Sequence, residues 1–223
     1  MININAICYI IAACKENFND INFIPKQGDL VIAADGGYDL LRQKNITSDI
    51  LLGDFDSIEK IPKHENIIKH SPEKDETDTF LAYKLGMEKG YTNFIILGGL
   101  GGRVDHSIAN IRTLSNIAEN GGRGFLLGKG AVLTVISNDK ITFPESYSGY
   151  ISVFANEKGA NAVSIKGLKY CVDNISLKPS VTLGTSNEFV GERAEISVKD
   201  GSLLLIWYEN IPDFLKNIDN FLS

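Results

Sequence analysis

Carboxylates and glycines recur at the ends of apolar runs in the first half of this 223-residue chain. Leu30–Ala34 leads into Asp35-Gly36-Gly37, and Asp49–Leu52 leads into Gly53-Asp54-Phe55-Asp56-Ser57. Asn93–Leu97 leads into Gly98-Gly99-Leu100-Gly101-Gly102-Arg103-Val104-Asp105-His106. A fourth polar segment, Lys74-Asp75-Glu76-Thr77-Asp78, opens a helical pattern. If the apolar runs are parallel strands, these ends share one edge, where open α/β sheets bind ligands. Six carboxylates, Asp35, Asp54, Asp56, Asp75, Asp78 and Asp105, would then meet along one crevice and repel one another. A divalent cation relieves that repulsion, and carboxylates with water select Mg²⁺ or a similar hard ion.

Each segment also has a plainer reading. Asp75 and Asp78 suit the start of a helix, as a cap and as a complement to its dipole. Asp35-Gly36-Gly37 taken alone is a turn signal. Asp54 and Asp56, flanking an apolar Phe55 after an apolar run, make wasteful solvated loop and point to function. The sharpest signal is Gly98–Gly102, with four glycines in five residues before Arg103 and a helix. Such a loop turns backbone N–H groups and a positive dipole end toward an anion, and phosphate is the expected one. Flexible linkers do not join a five-residue aliphatic strand directly to a helix. The familiar nucleotide fingerprints do not apply: Val104 stands where GxGxxG needs a small residue, and no GxxxxGK[ST] occurs. No GxSxG supports a serine hydrolase, and His64, His70 and His106 lack metal-ligand spacing. Asp54-Phe55-Asp56-Ser57 looks like the nucleophile loop of haloacid-dehalogenase-type phosphatases, but it follows the third strand rather than the first.

The elements that must position these residues alternate in type. Strands are expected at Ala6–Ala13, Leu30–Ala34, Asp49–Leu52, Asn66–Lys69 and Asn93–Leu97. Helical spacing covers Tyr38–Lys44, Thr77–Lys89 and about Val104 to Ala118. In the second helix Phe80, Leu81, Lys84, Leu85 and Glu88 put apolar residues on one face, and in the third Ile108, Ile111, Leu114 and Ser115 lie on one side. This alternation predicts an α/β fold with a mainly parallel, Rossmann-like sheet and flanking helices over residues 1–130. From about Ala131 the period shortens. Runs at Val132–Ile136, Tyr150–Ala155, Ala162–Ile165, Ser180–Leu183, Ala194–Val198 and Ser202–Trp207 predict a smaller antiparallel β-sandwich over residues 131–223. Ile211–Leu222 is expected as a closing helix.

Composition narrows the partners. The 28 acidic and 22 basic side chains leave a net charge of −6, unsuited to tracking a phosphate backbone, so nucleic acid is not expected. The run Ala6–Ala13 is too short to span a bilayer, and no Lys or Arg precedes it as a secretory signal requires. Neither a membrane nor secretion is expected. Three widely spaced cysteines, Cys8, Cys14 and Cys171, make neither a disulfide framework nor a zinc set, and fit a reducing cytoplasm.

The ordered set of motifs resembles the thiamine pyrophosphokinase (thiamine diphosphokinase) family. The resemblance rests on Ala34–Gly37, Gly53–Ser57, Lys74-Asp75-x-Thr77-Asp78 and Gly98–His106. It continues through Gly167-Leu168-Lys169-Tyr170, Gly184–Phe189 and a strand ending at Trp207, so it covers roughly residues 30 to 207. It implies transfer of diphosphate from ATP to the hydroxyl of thiamine, with AMP as the leaving group. It also implies a homodimer whose site is shared between subunits. Asp54, Asp56 and Asp78 would hold Mg²⁺, and Asp78 or Asp105 would orient or deprotonate the hydroxyl. The ATP site would comprise Asp35, Gly36, Gly37, Lys74, Asp75, Thr77, Gly98, Gly99, Gly101, Gly102, Arg103 and His106. Thiamine, a cation with two aromatic rings, would meet Ser186 and Asn187 and stack on Trp207, whose plainer reading is a core aromatic. Two rival readings remain at this point: a Mg²⁺-dependent phosphatase, and a non-catalytic nucleotide or thiamine sensor on the same fold.

Overall fold

The computed structural model describes residues 5–16, 18, 23–55, 64–71, 73 and 75–222. Asp56 and Lys74 therefore lie outside the described residues. Short apolar runs build the centre of a sheet. β1 (Ile7–Ile11), β2 (Leu30–Ala34) and β3 (Ile50–Gly53) are buried at every position, β4 (Ile67–Lys69) is a half-exposed edge, and β5 (Asn93–Leu97) is again buried throughout. Burial on both faces requires unbroken apolar sequence rather than alternation. Successive residues of β1 enter different cores: Ile7, Tyr9 and Ile11 join one, Cys8 and Ile10 the other.

With β6 (Arg123–Gly128), these strands pair in parallel in the order β4-β3-β2-β1-β5-β6. The chain steps outward from β1 to β4, then returns to the opposite side of β1 with β5. Strand order reverses there, and the diverging connections leave a crevice at the carboxyl ends. Among the described residues three helices lie in the connections: α1 (Gly37–Gln43), α2 (Asp78–Glu88) and α3 (Val104–Glu119). The buried stripe of α2 is Thr79, Ala82, Tyr83 and Gly86, not the expected Phe80, Leu81 and Leu85, which are only half-buried. Close approach explains the difference, because a Cβ at Gly86 would stand 2.7 Å from the Phe94 ring and 2.9 Å from Cys8 Sγ. In α3, Ile108 is 52% exposed, and Asn110, Thr113, Leu114, Ile117 and Ala118 face inward.

The remaining strands are antiparallel. β6 turns through Lys129 and Gly130, both at positive φ (54° and 70°), into β7 (Ala131–Ser137), a two-residue hairpin of the kind that matches strand twist. There follow β8 (Lys140–Phe143), β9 (Tyr150–Lys166), β10 (Val172–Leu177), β11 (Asn187–Glu188), β12 (Ala194–Ser197) and β13 (Asp200–Tyr208). The sheet continues β7-β13-β9-β12-β8, with β10 and β11 also paired to β9, so the thirteen strands of the described residues are hydrogen-bonded into one mixed sheet. The expected runs Tyr150–Ala155 and Ala162–Ile165 are thus a single long strand. Ser180–Leu183 is not a strand. Turns closed by Val181 N–H to the Lys178 carbonyl and Thr185 N–H to the Thr182 carbonyl bend it away, leaving Val181 and Leu183 exposed.

The tail forms α4 (Ile211–Lys216), capped by the Asn210 side chain accepting from Asp213 N–H at 3.1 Å, and then a separate 3₁₀ turn at Ile218–Asn220. No helix among the described residues is long and apolar enough to cross a membrane.

Candidate active site

A cleft of about 890 Å³ opens at the β1/β5 reversal. Its walls come from the segment after β1 (Ala12–Glu16), the end of β2 (Ala34, Asp35), the start of α2 and the loop after β5. Of the residues singled out from the sequence, Asp35, Asp75, Thr77, Asp78, Gly98, Gly99, Gly101, Gly102, Arg103 and His106 line it. Gly36, Gly37, Asp54 and Asp105 do not; nor do Ser186, Asn187 and Trp207.

The backbone is bent where carboxylates are presented. Asp35 (φ 48°) and Phe55 (φ 60°) both take the left-handed conformation at strand ends. Asp tolerates it by local hydrogen bonding, whereas a buried Phe is an outlier held by its surroundings. Such strain collects at functional sites, and here it flanks Asp54. Asp35 is fixed by its N–H donating to the Leu52 carbonyl at 2.7 Å, which ties β2 to β3 just where the two acidic loops leave the sheet. At the start of α2 the cap is Thr77, whose Oγ1 accepts from Phe80 N–H at 3.3 Å. Asp75 and Asp78 are thereby not needed as caps.

The glycine-rich loop is held from several sides. At Gly98 a Cβ would stand 2.4 Å from the Ala12 carbonyl oxygen, so only glycine lets the loop cross β1 this closely. Asn110, 4% exposed on α3, donates to the Gly99 carbonyl at 2.7 Å. Ser107 Oγ accepts from Gly101 N–H at 3.1 Å, and Glu16 Oε1 accepts from Gly102 N–H at 3.1 Å. Glu16 also pairs with Lys129 at 2.6 Å. These contacts lower the Glu16 pKa and raise that of Lys129. Two loop amides expected to face phosphate are therefore occupied by side chains of the same protein.

Arg103 grips Asp105, Nη2 donating to Oδ2 at 2.6 Å and Nε to Oδ1 at 3.2 Å. The guanidinium holds the Asp105 carboxyl below the usual carboxylate range. Sequence reasoning missed Cys14, Lys15, Glu16, Ser107, Asn110 and Lys129. Ser107 and Asn110 carried a signal, being polar residues one turn apart on the helix that follows the loop; Glu16 and Lys129 carried none. The cleft walls carry five carboxylates (Glu16, Asp35, Asp75, Glu76, Asp78) against Lys15 and Arg103.

In the antiparallel half the three expected vitamin contacts differ in character. Trp207 is 0% exposed, edge-on to Phe143 at 5.2 Å, with Nε1 donating to Glu209 Oε2 at 3.1 Å. The plainer reading of this residue, a core aromatic, describes its environment. Asn187 is buried, with Nδ2 donating to the Tyr170 carbonyl at 2.8 Å and Oδ1 accepting from Tyr170 N–H at 3.0 Å. Ser186 is exposed, at φ 56°. The exposed aromatic that Asn187 fixes is Tyr170, 61% accessible.

Two family models match in chain order: "Thiamin pyrophosphokinase, catalytic domain" over residues 23–125 and "Thiamin pyrophosphokinase, vitamin B1 binding domain" over residues 138–203. The chain belongs to the thiamin pyrophosphokinase family. It is 28% identical over 206 residues to Thiamine pyrophosphokinase of Bacillus subtilis, spanning 88% of this chain and 96% of that one. It is also 28% identical over 194 residues to Thiamin pyrophosphokinase 1 of Caenorhabditis elegans, spanning 80% and 78%. The crystal structure of the Bacillus subtilis thiamine pyrophosphokinase superimposes with a TM-score of 0.78 at 25% identity, covering 91% of this chain and 99% of that one. The yeast thiamin pyrophosphokinase structure shares the fold, with a TM-score of 0.70 at 18% identity over 94% and 89%. Most of the cleft falls inside the span matched by the family's catalytic domain, whereas Glu16 precedes that span and Lys129 lies between the two. Tyr170, Ser186 and Asn187 fall within the span of the vitamin-binding domain, and Trp207 lies just beyond it.

Proposed function

We propose that the chain transfers diphosphate from ATP to the hydroxyl of thiamine, giving thiamine diphosphate and AMP. One observation carries this reading: a glycine-rich loop, the arginine that follows it and the carboxylates Asp35, Asp75 and Asp78 converge in one cleft where strand order reverses. Family membership supplies the acceptor. The thiamine hydroxyl oxygen bonds to the β-phosphorus, the bond from that phosphorus to the oxygen shared with the α-phosphate breaks, and AMP departs with it. Positioning and charge neutralisation are what such a transfer demands of a protein.

Arg103 reaches the polyphosphate from the loop, and Lys74 adds a second cation from the segment before α2. Gly36 and Gly37 allow the backbone to approach the nucleotide. Asp105 aims Arg103. Its carboxyl, already committed to that guanidinium and lowered in pKa, is a poor proton acceptor, so Asp78 is the better candidate to take the hydroxyl proton.

Hard oxygen donors on one sheet edge fit Mg²⁺. Among the described residues no group of three or more His, Cys, Asp or Glu is ready-made for a metal. Mg²⁺ combines carboxylates with its own waters and substrate phosphates. Asp54, Asp56 and Asp78 would hold it, and it would supply neutralisation of the phosphate oxygens.

We assign residues 1–130 to ATP binding and catalysis, and residues 131–223 to a β-sandwich that receives thiamine. Ser186 and Asn187 belong to the vitamin site, with Tyr170 as the stacking face in place of buried Trp207. Because these residues do not line the cleft of their own chain, a homodimer with a shared site is the assembly proposed. Its setting is the cytoplasm. Incubation with ATP, Mg²⁺ and thiamine tests the reaction: AMP and thiamine diphosphate are expected. ADP with thiamine monophosphate, free phosphate alone as from a phosphatase, or binding without turnover would contradict it.

A further inference from the structure

The glycine-rich loop carries an anion that belongs to the protein. Glu16 Oε1 accepts from Gly102 N–H at 3.1 Å while Oε2 pairs with Lys129 Nζ at 2.6 Å. The packing is close: a Cβ at Gly101 would stand 2.9 Å from Lys129 Cε and 3.0 Å from Glu16 Oε2. Carboxylate, ammonium and loop amide thus form one contact set at the mouth of the cleft. Glu16 is itself a wall of that cleft.

The two partners are anchored differently. Lys129 sits at the tip of the two-residue hairpin between β6 and β7, and the adjoining Gly130 carbonyl accepts from Glu209 N–H at 2.8 Å. The root of the lysine is therefore fixed one strand beyond β5, whose end bears the loop. Glu16 stands in an irregular segment after β1. Both side chains are half-exposed, 49% for Glu16 and 50% for Lys129, so the pair can be broken without opening the core.

We propose that Glu16 is a built-in substitute for a phosphate group, and that Lys129 is a polyphosphate-binding residue to which it is paired until nucleotide arrives. On binding, phosphate oxygens replace the Glu16 carboxylate on Gly102 N–H and on the Lys129 ammonium, and Glu16 swings to solvent. The inference rests on ATP occupying this cleft. Charge favours the exchange. With Glu16 in place the walls carry five carboxylates against two cations; with Glu16 out and Lys129 turned inward they carry four against three. A site that must accept a strongly anionic chain gains by that change, and it keeps the loop amides ordered while no ligand is present.

The opposite roles give opposite signs, which a merely structural ion pair would not. Binding of Mg²⁺ with α,β-methylene-ATP, and separately of AMP, is measured by calorimetry on the full chain, without thiamine. Glu16→Gln is expected to tighten the analogue about three- to tenfold, the scale of an exposed ion pair plus one charged hydrogen bond. Lys129→Gln is expected to weaken it by a similar factor, with Lys129→Arg restoring most of the loss. AMP, lacking the outer phosphates, should change less than about twofold in either variant. If both variants weaken the analogue, or neither alters it, while the wild type binds it, the exchange is wrong and the nucleotide cleft stands. If the wild type binds neither nucleotide, the inference falls together with the reading on which it rests.

Discussion

Arg103 and Asp105, two residues apart at the start of α3, hold each other through two hydrogen bonds, Nη2 to Oδ2 at 2.6 Å and Nε to Oδ1 at 3.2 Å. Asp105 also accepts from His106 N–H at 3.0 Å, which fixes the carboxylate to the helix and so fixes the guanidinium. Like Asp54, Asp105 does not line the cleft; it sets the direction of Arg103, which does.

Asp105→Asn should lower kcat/KM by roughly ten- to a hundredfold, the scale expected when a positioning contact is lost. The carboxyl pKa is depressed in the folded protein, so the clamp persists above the ordinary carboxylate range and is lost only as pH falls through its lowered value. Wild-type activity between about pH 5 and 8 should therefore show no ionisation attributable to Asp105. An inflection in that window that disappears in Asp105→Asn would contradict the assignment.

Asn110 bonds the Gly99 carbonyl from inside the protein at 2.7 Å. Asn110→Ala removes the donor and should cost about 1–3 kcal/mol of stability, measurable by urea unfolding. It should also raise the KM for ATP while leaving the KM for thiamine within about twofold. Equal changes in both constants would mean that the loop does not serve the nucleotide.

Trp207 and Tyr170 should separate cleanly. Trp207→Ala removes a fully buried ring and should destabilise by about 3–5 kcal/mol. Trp207→Phe keeps most of that volume and should leave the KM for thiamine nearly unchanged. Tyr170→Ala, at a side chain 61% exposed, should weaken thiamine binding about three- to thirtyfold at constant Tm, as expected for loss of stacking on a cation. The reverse pattern in thiamine KM would return the stacking role to Trp207.

Metal removal should abolish turnover, with Mg²⁺ restoring it. Asp56→Asn should retain less than about a tenth of the activity, since a carboxylate ligand to the ion that neutralises polyphosphate is lost. Undiminished turnover in EDTA would contradict the carboxylate assignment.

The parallel half was legible because its strands are buried on both faces and therefore read as unbroken apolar runs; Leu30–Ala34 and Asn93–Leu97 form β2 and β5 without adjustment. β6 was hidden because Gly124 and Gly128 cut its apolar run to three residues, Phe125–Leu127. A Cβ at Gly124 would stand 2.8 Å from Ile117 Cδ1, so packing against α3 demands the glycine that hides the strand. In α2 the apolar pattern marked the margin of the buried face rather than its centre, because Ala82 and Gly86 bring the helix close to the sheet and Tyr83 packs edge-on to Phe94. Acidic and glycine-rich motifs marked much of the cleft, since Asp35 and Gly98–Gly102 follow β2 and β5 directly and Asp75–Asp78 opens α2. Glu16 and Lys129 were invisible, because their pairing spans more than a hundred residues and leaves no local pattern. Trp207 was drawn toward the vitamin by resemblance, whereas its surroundings place it among Phe143, Phe214 and Phe221.

Diphosphate is expected to move as one unit, by attack at the β-phosphorus. Following the label from β-³²P-ATP in the presence of thiamine and Mg²⁺ decides this. Labelled thiamine diphosphate and unlabelled AMP should form in equal amounts, with γ-³²P-ATP delivering its label to the same product. Label retained in ADP, with thiamine monophosphate accumulating, would mean attack at the γ-phosphorus and would contradict it.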